Sequence, residues 1–116
     1  MRNEGVLLAE MLLHIGYLEK FALEGKEALY GDIKTQFAIR LAYEIVGDIA
    51  KQLPSSLLEK HPKIPWKDIK GMRDVLAHQY YRLDLEAIWR AIESLPELRV
   101  AIETMIASLP SDENDL

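Results

Sequence analysis

The sequence predicts an all-α protein: an antiparallel up-and-down helical bundle of four main helices, with a kinked or broken C-terminal helix. Apolar residues recur at spacings of three and four along most of the 116 residues, which is the repeat of an amphipathic α-helix. No stretch of useful length alternates with the two-residue period of a half-buried strand. The connections between the helical stretches are short, and short connections favour antiparallel neighbours.

A glycine and an aspartate separate the first two predicted helices. Residues 4–24 form the first helix, and Gly25 is its expected stop. Asp32 can cap the second helix through its side-chain oxygens, and Pro54 ends that helix because proline has no backbone N–H to donate. The apolar positions of the second helix predict a buried stripe. They are Ala38, Leu41, Ala42, Ile45, Val46, Ile49 and Leu53.

Three prolines within residues 54–66 predict a connector that contains one helical turn near residues 56–60. A third helix is expected over residues 66–81, and Asp84 is placed to cap a fourth. Residues 94–97, Ser-Leu-Pro-Glu, have the Ser-x-x-Glu form of a capping box with a proline in the first turn. This motif predicts that the last helix breaks there and continues as a fifth segment.

The composition is that of a single soluble domain. With 49% hydrophobic and 28% charged residues, the chain is long enough to bury roughly two thirds of the surface that its unfolded form exposes. We expect residues 1–110 to form this domain and residues 111–116 to be a disordered acidic tail. Cysteine is absent, which excludes disulfides, thiolate nucleophiles and cysteine-bearing zinc sites and favours the cytoplasm. No uncharged run approaches the length needed to cross a bilayer, so no membrane partner is expected.

The net charge is acidic. A formal charge of -5 disfavours a protein that coats nucleic acid nonspecifically, because such proteins need a basic surface to release counterions. Asp112, Glu113 and Asp115 contribute three of the negative charges, and all three lie in the tail. The rest of the chain therefore leaves room for a local basic site.

Residues 71–81, Gly-Met-Arg-Asp-Val-Leu-Ala-His-Gln-Tyr-Tyr, concentrate reactive polar side chains on the third predicted helix. An advance of about 100° per residue turns one apolar arc toward the core and the polar side chains outward. The core arc comprises Ile69, Met72, Val75 and Leu76. The outward face comprises Arg73, Asp74, His78 and Tyr80. Asp74 and His78 are four residues apart, which allows the carboxylate to orient the imidazole.

Arg73 and His78 are separated by about 140° around an ideal helix, too far for one small ligand to contact both. Two copies that meet across a twofold axis would form a better site, because each could offer its arginine to the groove that holds the other's histidine. A solvated polar surface without chemistry is the alternative interpretation of the same spacing. His14 and His61 have no spacing-matched partner and are assigned no role.

One segment resembles a known family. Residues 64–89, IPWKDIKGMRDVLAHQYYRLDLEAIW, resemble the signature segment of the HEPN superfamily and of its HepT-like toxin branch, in which an Arg-x4-His-x-Tyr motif follows Ile-Pro-Trp and a Gly-Met pair. Arg73, His78 and Tyr80 fall on this motif without a gap. Residues 38–54 are similar to the second helix of the family. The residue after the motif arginine is often asparagine in the family and is Asp74 here.

The resemblance implies a metal-independent endoribonuclease that serves as the toxin of a type VII, or HEPN/MNT, toxin–antitoxin system. Its partners would be an RNA substrate, a second copy of the chain in a homodimer, and a minimal nucleotidyltransferase (MNT) as antitoxin. No metal and no cofactor are implied. An alternative is a non-catalytic helical subunit whose polar face docks a minimal nucleotidyltransferase.

The resemblance also implies a role for each of four residues. Arg73 and His78 would be catalytic, with the arginine binding the phosphate and the histidine taking or giving a proton. Asp74 would support or orient these groups. Tyr80 would line the RNA path and would accept an adenylate from the antitoxin, a modification called AMPylation that neutralises the toxin.

Overall fold

Seven helices and no strand form in the residues that the computed structural model describes, which are 3–79 and 84–110. The predicted all-α bundle with a broken C-terminal helix is confirmed. The helices are α1 (Glu4–Ala22), α2 (Lys26–Gly31), α3 (Ile33–Gln52), α4 (Ser55–Leu58), α5 (Trp66–His78), α6 (Leu85–Glu93) and α7 (Leu95–Ala107). The acidic tail predicted at residues 111–116 lies outside the described residues, as do Tyr80 and Tyr81 at the end of the third predicted helix.

Helix α1 begins and ends close to the predicted positions. The side chain of Asn3 caps it by accepting a hydrogen bond of 2.8 Å from the backbone N–H of Val6. Gly25 follows the helix with a φ of +91°, a conformation that favours glycine, and the chain then starts the short helix α2. Helix α2 was not predicted from the sequence, because six residues are too few to show a clear apolar period.

Helix α3 has the predicted start and stop but a different buried face. Asp32 accepts hydrogen bonds from the backbone N–H of Lys34 and the hydroxyl of Thr35, at 3.2 and 2.7 Å. Leu41, which was expected to be buried, is 61% exposed, whereas Ile39 and Tyr43 are buried. The buried arc is centred roughly 70° further round the helix than predicted. It is displaced because α3 packs against both α1 and α5, so that its buried surface extends to Gly47 and Ala50.

The last helix breaks at the predicted place, although the expected capping box does not form. Asp84 caps α6 by accepting from the backbone N–H groups of Glu86 and Ala87. Helix α6 ends at Glu93, and α7 begins one residue after Ser94. The hydroxyl of Ser94 donates to the carbonyl of Arg90 at 3.1 Å, because Ser94 has helical φ and ψ angles that turn its side chain back along α6.

The core lies where α1 packs against α3 and α7 and where α3 packs against α5. Its fully buried residues include Leu8, Met11, Ile15, Leu18, Ile39, Val46 and Ile102. A bidentate ion pair also joins α7 to α1, in which Arg99 donates to the two carboxylate oxygens of Glu19 at 2.9 and 2.6 Å. Within the described ranges, no helix has the length and apolar character needed to span a membrane.

Candidate active site

Helix α5 carries the motif residues, and its start is anchored to the connector. The indole N–H of Trp66 donates to the backbone carbonyls of Leu58 and His61, both at 3.1 Å. The connector contains the predicted single turn as α4. The first turn of α5 is therefore held in place by the Ile-Pro-Trp sequence that precedes the motif.

The core face of α5 is close to the predicted arc. Ile69 and Leu76 are buried, and Met72 and Val75 are half-buried. In contrast, the prediction that Arg73 faces outward is wrong. Its side chain is only 23% exposed and packs against α3, where Gly47 lacks a side chain and leaves space for it.

The approach of α5 to α3 at Gly47 is close enough to test by mutation. A Cβ atom built on Gly47 would lie 2.5 Å from Cβ of Arg73 and 3.0 Å from the carbonyl oxygen of Ile69. We expect Gly47→Ala to lower the free energy of unfolding, because overpacking costs about 1–3 kcal/mol and outweighs the gain of roughly 1 kcal/mol in helix propensity.

Gly71→Ala is the matched control for this prediction. A Cβ on Gly71, also a helical glycine, would meet no atom within 4 Å in the described part of the chain. This variant should therefore be more stable than the parent by about 0.5–1 kcal/mol. Urea denaturation of the parent and both variants measures the difference. Equal stabilisation by the two substitutions would contradict the close contact at Gly47.

Two carboxylates surround the guanidinium of Arg73. Its NH2 atom lies 3.3 Å from Oδ1 of Asp48 on α3, and its NH1 atom lies 3.3 Å from Oδ1 of Asp74. Both contacts are long for charge-assisted hydrogen bonds. The Nε atom is buried and has no hydrogen-bond partner among the residues that the structure describes. The guanidinium is therefore held in place with part of its donor capacity unused.

Asp74 lies at the centre of this charge cluster. It accepts a hydrogen bond of 2.6 Å from the ammonium group of Lys51, in addition to its contact with Arg73. The hydrogen bond and charge of Lys51, followed by those of Arg73, hold the pKa of the Asp74 carboxyl below its usual range. The expected contact of Asp74 with His78 is not among its hydrogen bonds or ion pairs in residues 3–79 and 84–110.

His78 is exposed and is the last residue of α5. It follows Arg73 by five residues, which corresponds to about 7.5 Å along the helix axis and about 140° around it. Tyr80, the third motif residue, lies outside the described residues.

Three residues that shape the site were not predicted from the sequence, and all three lie on α3. They are Gly47, Asp48 and Lys51. One signal was available, since Asp48 and Lys51 lie on the polar side of α3, but the sequence does not show which helix packs beside α5. His14, which received no role, donates a hydrogen bond of 2.8 Å from Nδ1 to the backbone carbonyl of Glu10. No group of three residues that could bind a metal ion occurs in the described ranges.

Comparison with known proteins identifies relatives over most of the chain. The family model described as "Ribonuclease HepT-like" matches residues 11–105, from within α1 to within α7. A protein of Thermococcus cleftensis named "Probable ribonuclease HepT" is 39% identical over 75 residues, which cover 64% of this chain and 68% of that protein. A protein of Methanocaldococcus jannaschii named "Putative RNase MJ1216" is 35% identical over 83 residues, which cover 70% of this chain and 69% of that protein. No solved structure matches the chain. The chain therefore belongs to the HepT-like ribonuclease family.

Proposed function

We propose that this chain is a metal-independent endoribonuclease and the toxin of a type VII, or HEPN/MNT, toxin–antitoxin system. The observation that carries the proposal is the state of Arg73, whose guanidinium is held between α3 and α5 with its terminal nitrogens in long contacts, both 3.3 Å, with Asp48 and Asp74. Such a group can bind a phosphate bidentately without first losing strong hydrogen bonds. The family supplies the reaction class, and His78 follows at the motif spacing.

The reaction needs no metal, because RNA carries its own nucleophile. The 2′-hydroxyl attacks the adjacent phosphorus, the bond to the 5′-oxygen breaks, and the products are a 2′,3′-cyclic phosphate and a 5′-hydroxyl. One base takes the 2′ proton and one acid gives a proton to the leaving oxygen. His78 performs one of these transfers, and Arg73 stabilises the negative charge that develops on the pentacoordinate phosphorus.

A homodimer would complete the site. On one helix Arg73 and His78 point in different directions, so a second copy can supply the missing group and a second histidine. An exposed apolar row on α3 supports this assembly: Ile33, Phe37 and Leu41 are 63%, 59% and 61% exposed and lie one turn apart. Monomers rarely expose such contiguous apolar surface. Asp48 lies on the same face of α3 as this row and contacts Arg73. A second copy packed along the row would therefore come close to Arg73.

The direct test uses the purified protein without any partner. We expect it to cleave single-stranded RNA in the presence of excess chelator and to leave cyclic phosphate ends. Mass spectrometry of the products identifies these ends. A protein that binds a minimal nucleotidyltransferase but leaves RNA intact would instead be the non-catalytic docking subunit. The negative charge of Asp74 beside Arg73 is compatible with this alternative, because it disfavours an RNA phosphate at that place.

Asp74 is proposed to position Arg73 and to compete with the RNA phosphate for it. Replacing Asp74 with asparagine keeps a hydrogen-bond acceptor for Arg73 and Lys51 but removes the negative charge. Because an exposed ion pair is weak, we expect Asp74→Asn to tighten RNA binding only modestly, by about twofold to fivefold. Fluorescence anisotropy with a labelled RNA measures this change, and weaker binding by the variant would contradict the proposed competition.

The antitoxin is proposed to be a minimal nucleotidyltransferase that AMPylates Tyr80. Transfer forms a bond between the tyrosine oxygen and the α-phosphorus of ATP, and pyrophosphate leaves. The added phosphodiester brings a negative charge near Arg73, where it competes with the RNA phosphate, and its base occupies space needed by RNA. Tyr80 itself lies outside the described residues, and the support for this step is its position in the motif, two residues after His78.

Tyr80→Phe should therefore remain toxic when the antitoxin is present. Co-expression of the parent with the neighbouring nucleotidyltransferase should add adenylate mass to the peptide that contains residue 80, and peptide mass spectrometry measures it. Tyr81→Phe is the matched control and should be modified and neutralised like the parent. Full neutralisation of Tyr80→Phe, or adenylate on another residue, would leave a simple capping complex as the better account.

A further inference from the structure

A basic ridge leads away from Arg73 along α5. The polar side of this helix carries five charged or titratable residues, listed in order as Lys67, Lys70, Arg73, Asp74 and His78. Asp74 is the one carboxylate among them, and it is already paired with Lys51 and Arg73. Asp68 lies on the other flank of α5, where it lines a cavity of about 460 Å³ with Tyr43 and Arg90. Lys67 is exposed and Lys70 is half-buried, so positive charge reaches solvent on this side of α5.

The two ridge lysines have no ionic partner within the described ranges. Lys26 and Lys51 form ion pairs of 2.8 and 2.6 Å, whereas no ion pair involves Lys67 or Lys70. Residues 60–73 contain five lysine and arginine side chains against one aspartate, in a chain with a net charge of -5. Charges of one sign that remain unpaired on one side of an acidic protein attract an anionic ligand to that side.

The surface of α5 between Lys67 and His78 is open. Gly71 is exposed, and a Cβ atom built there would meet nothing within 4 Å in the part of the chain that is described. Ala77, one residue before the end of the helix, also has a small side chain. Gly71 lies about 40° round the helix from Lys67 and about 20° from His78, so a nucleic-acid strand can lie against the backbone of α5 between these two side chains.

We propose that Lys67 and Lys70 bind phosphates of the RNA strand next to the scissile phosphate, and this inference rests on the proposed ribonuclease function. Lys70 precedes Arg73 by about 4.5 Å along the helix axis and Lys67 by about 9 Å, so they contact phosphates other than the one at Arg73. Lys60 and Lys63 are not included in this proposal, because they line a groove against α7 with Pro96 and Val100.

The test measures RNA affinity as a function of salt concentration in His78→Ala protein, which keeps the RNA intact. Each phosphate contact to single-stranded RNA adds about 0.7 to the magnitude of the slope of log affinity against log salt. Lys67→Gln with Lys70→Gln should therefore reduce that magnitude by about 1.4 and weaken binding to all sequences alike. A DNA strand of the same sequence should show the same reduction, because the two lysines contact phosphates and not the 2′-hydroxyl.

Lys20→Gln with Lys34→Gln is the matched control. It removes the same charge from exposed lysines on α1 and α3, away from Arg73, and should leave the slope unchanged. An RNA of about ten nucleotides should reveal the loss, whereas a dinucleotide is too short to reach both Arg73 and Lys67. An unchanged slope in the variant with both lysines replaced, or an equal reduction in the control, would contradict the proposal that Lys67 and Lys70 bind RNA phosphates.

The experiments distinguish an error in the proposed roles of Lys67 and Lys70 from an error in the ribonuclease assignment. If the parent protein cleaves RNA and the variant with both lysines replaced keeps the salt dependence of the parent, Lys67 and Lys70 do not bind RNA and the ribonuclease assignment stands. If the parent does not cleave RNA but the slope falls as expected, the surface binds nucleic acid and the catalytic assignment is wrong. Thermal unfolding of each variant confirms that the comparison is made between folded proteins.

Discussion

Replacing His78 with alanine should lower the kcat for RNA cleavage by about a hundredfold to ten-thousandfold. Such losses are typical when a side chain that moves a proton in the transition state is removed. His78 is exposed at the end of α5, so its removal leaves no cavity and should not change the free energy of unfolding measurably. The measurement is the rate of cleavage of a labelled RNA in the presence of chelator.

His61→Ala is the matched control for this experiment. The backbone carbonyl of His61 accepts a hydrogen bond from the indole N–H of Trp66, and the substitution keeps that carbonyl. We therefore expect His61→Ala to cleave RNA like the parent. If His78→Ala also cleaves like the parent, the proton transfer belongs to another residue and the proposed mechanism fails.

Replacing Arg73 with alanine should lower kcat/KM by about a hundredfold to a thousandfold. This is the loss expected when one preorganised donor to the transition-state charge is removed. Arg73→Lys should recover only part of it, because an ammonium group cannot bind a phosphate bidentately. Since Arg73 also packs at Gly47, the unfolding of both variants must be measured beside their activity.

Mixing the two inactive variants tests whether the site is composite. A heterodimer of His78→Ala and Arg73→Ala subunits contains one site with an intact arginine from one copy and an intact histidine from the other. Recovered cleavage in the mixture would support the shared site. If the mixture stays inactive although mass measurement shows that mixed dimers form, each subunit must act alone. If Arg73→Ala and His78→Ala both cleave like the parent, neither residue belongs to the active site and the proposed catalytic assignment is wrong.

Local signals in the sequence predicted the helices well. Asp32 and Asp84 cap helices where expected, and the chain breaks at Ser94, because a cap or a proline acts on the backbone within a few residues. The capping box at Ser94 was wrong because the serine adopts helical angles. Helix α2 was missed because its six residues do not complete two turns.

The arrangement of the site was harder to predict because it depends on which helices meet. Periodicity alone placed Leu41 in the core and Arg73 in solvent, whereas packing of α5 on α3 reverses both expectations. Asp74 was expected to contact His78 on its own helix, but Lys51 of α3 offers a stronger, oppositely charged partner. The motif residues could be identified from the sequence alone, whereas their partners on α3 could not.

The close contact at Gly47 has a consequence for the entropy of binding. An arginine on a free surface has several rotatable bonds, and ordering such a side chain on a ligand costs about 0.5–1.5 kcal/mol. Here the backbone of α3 confines Arg73 from Cβ outward, and two carboxylates limit its far end. Its conformational freedom is therefore lost when the protein folds. If Arg73 binds the reacting phosphate as proposed, the entropic cost of ordering this side chain does not reduce the affinity for RNA.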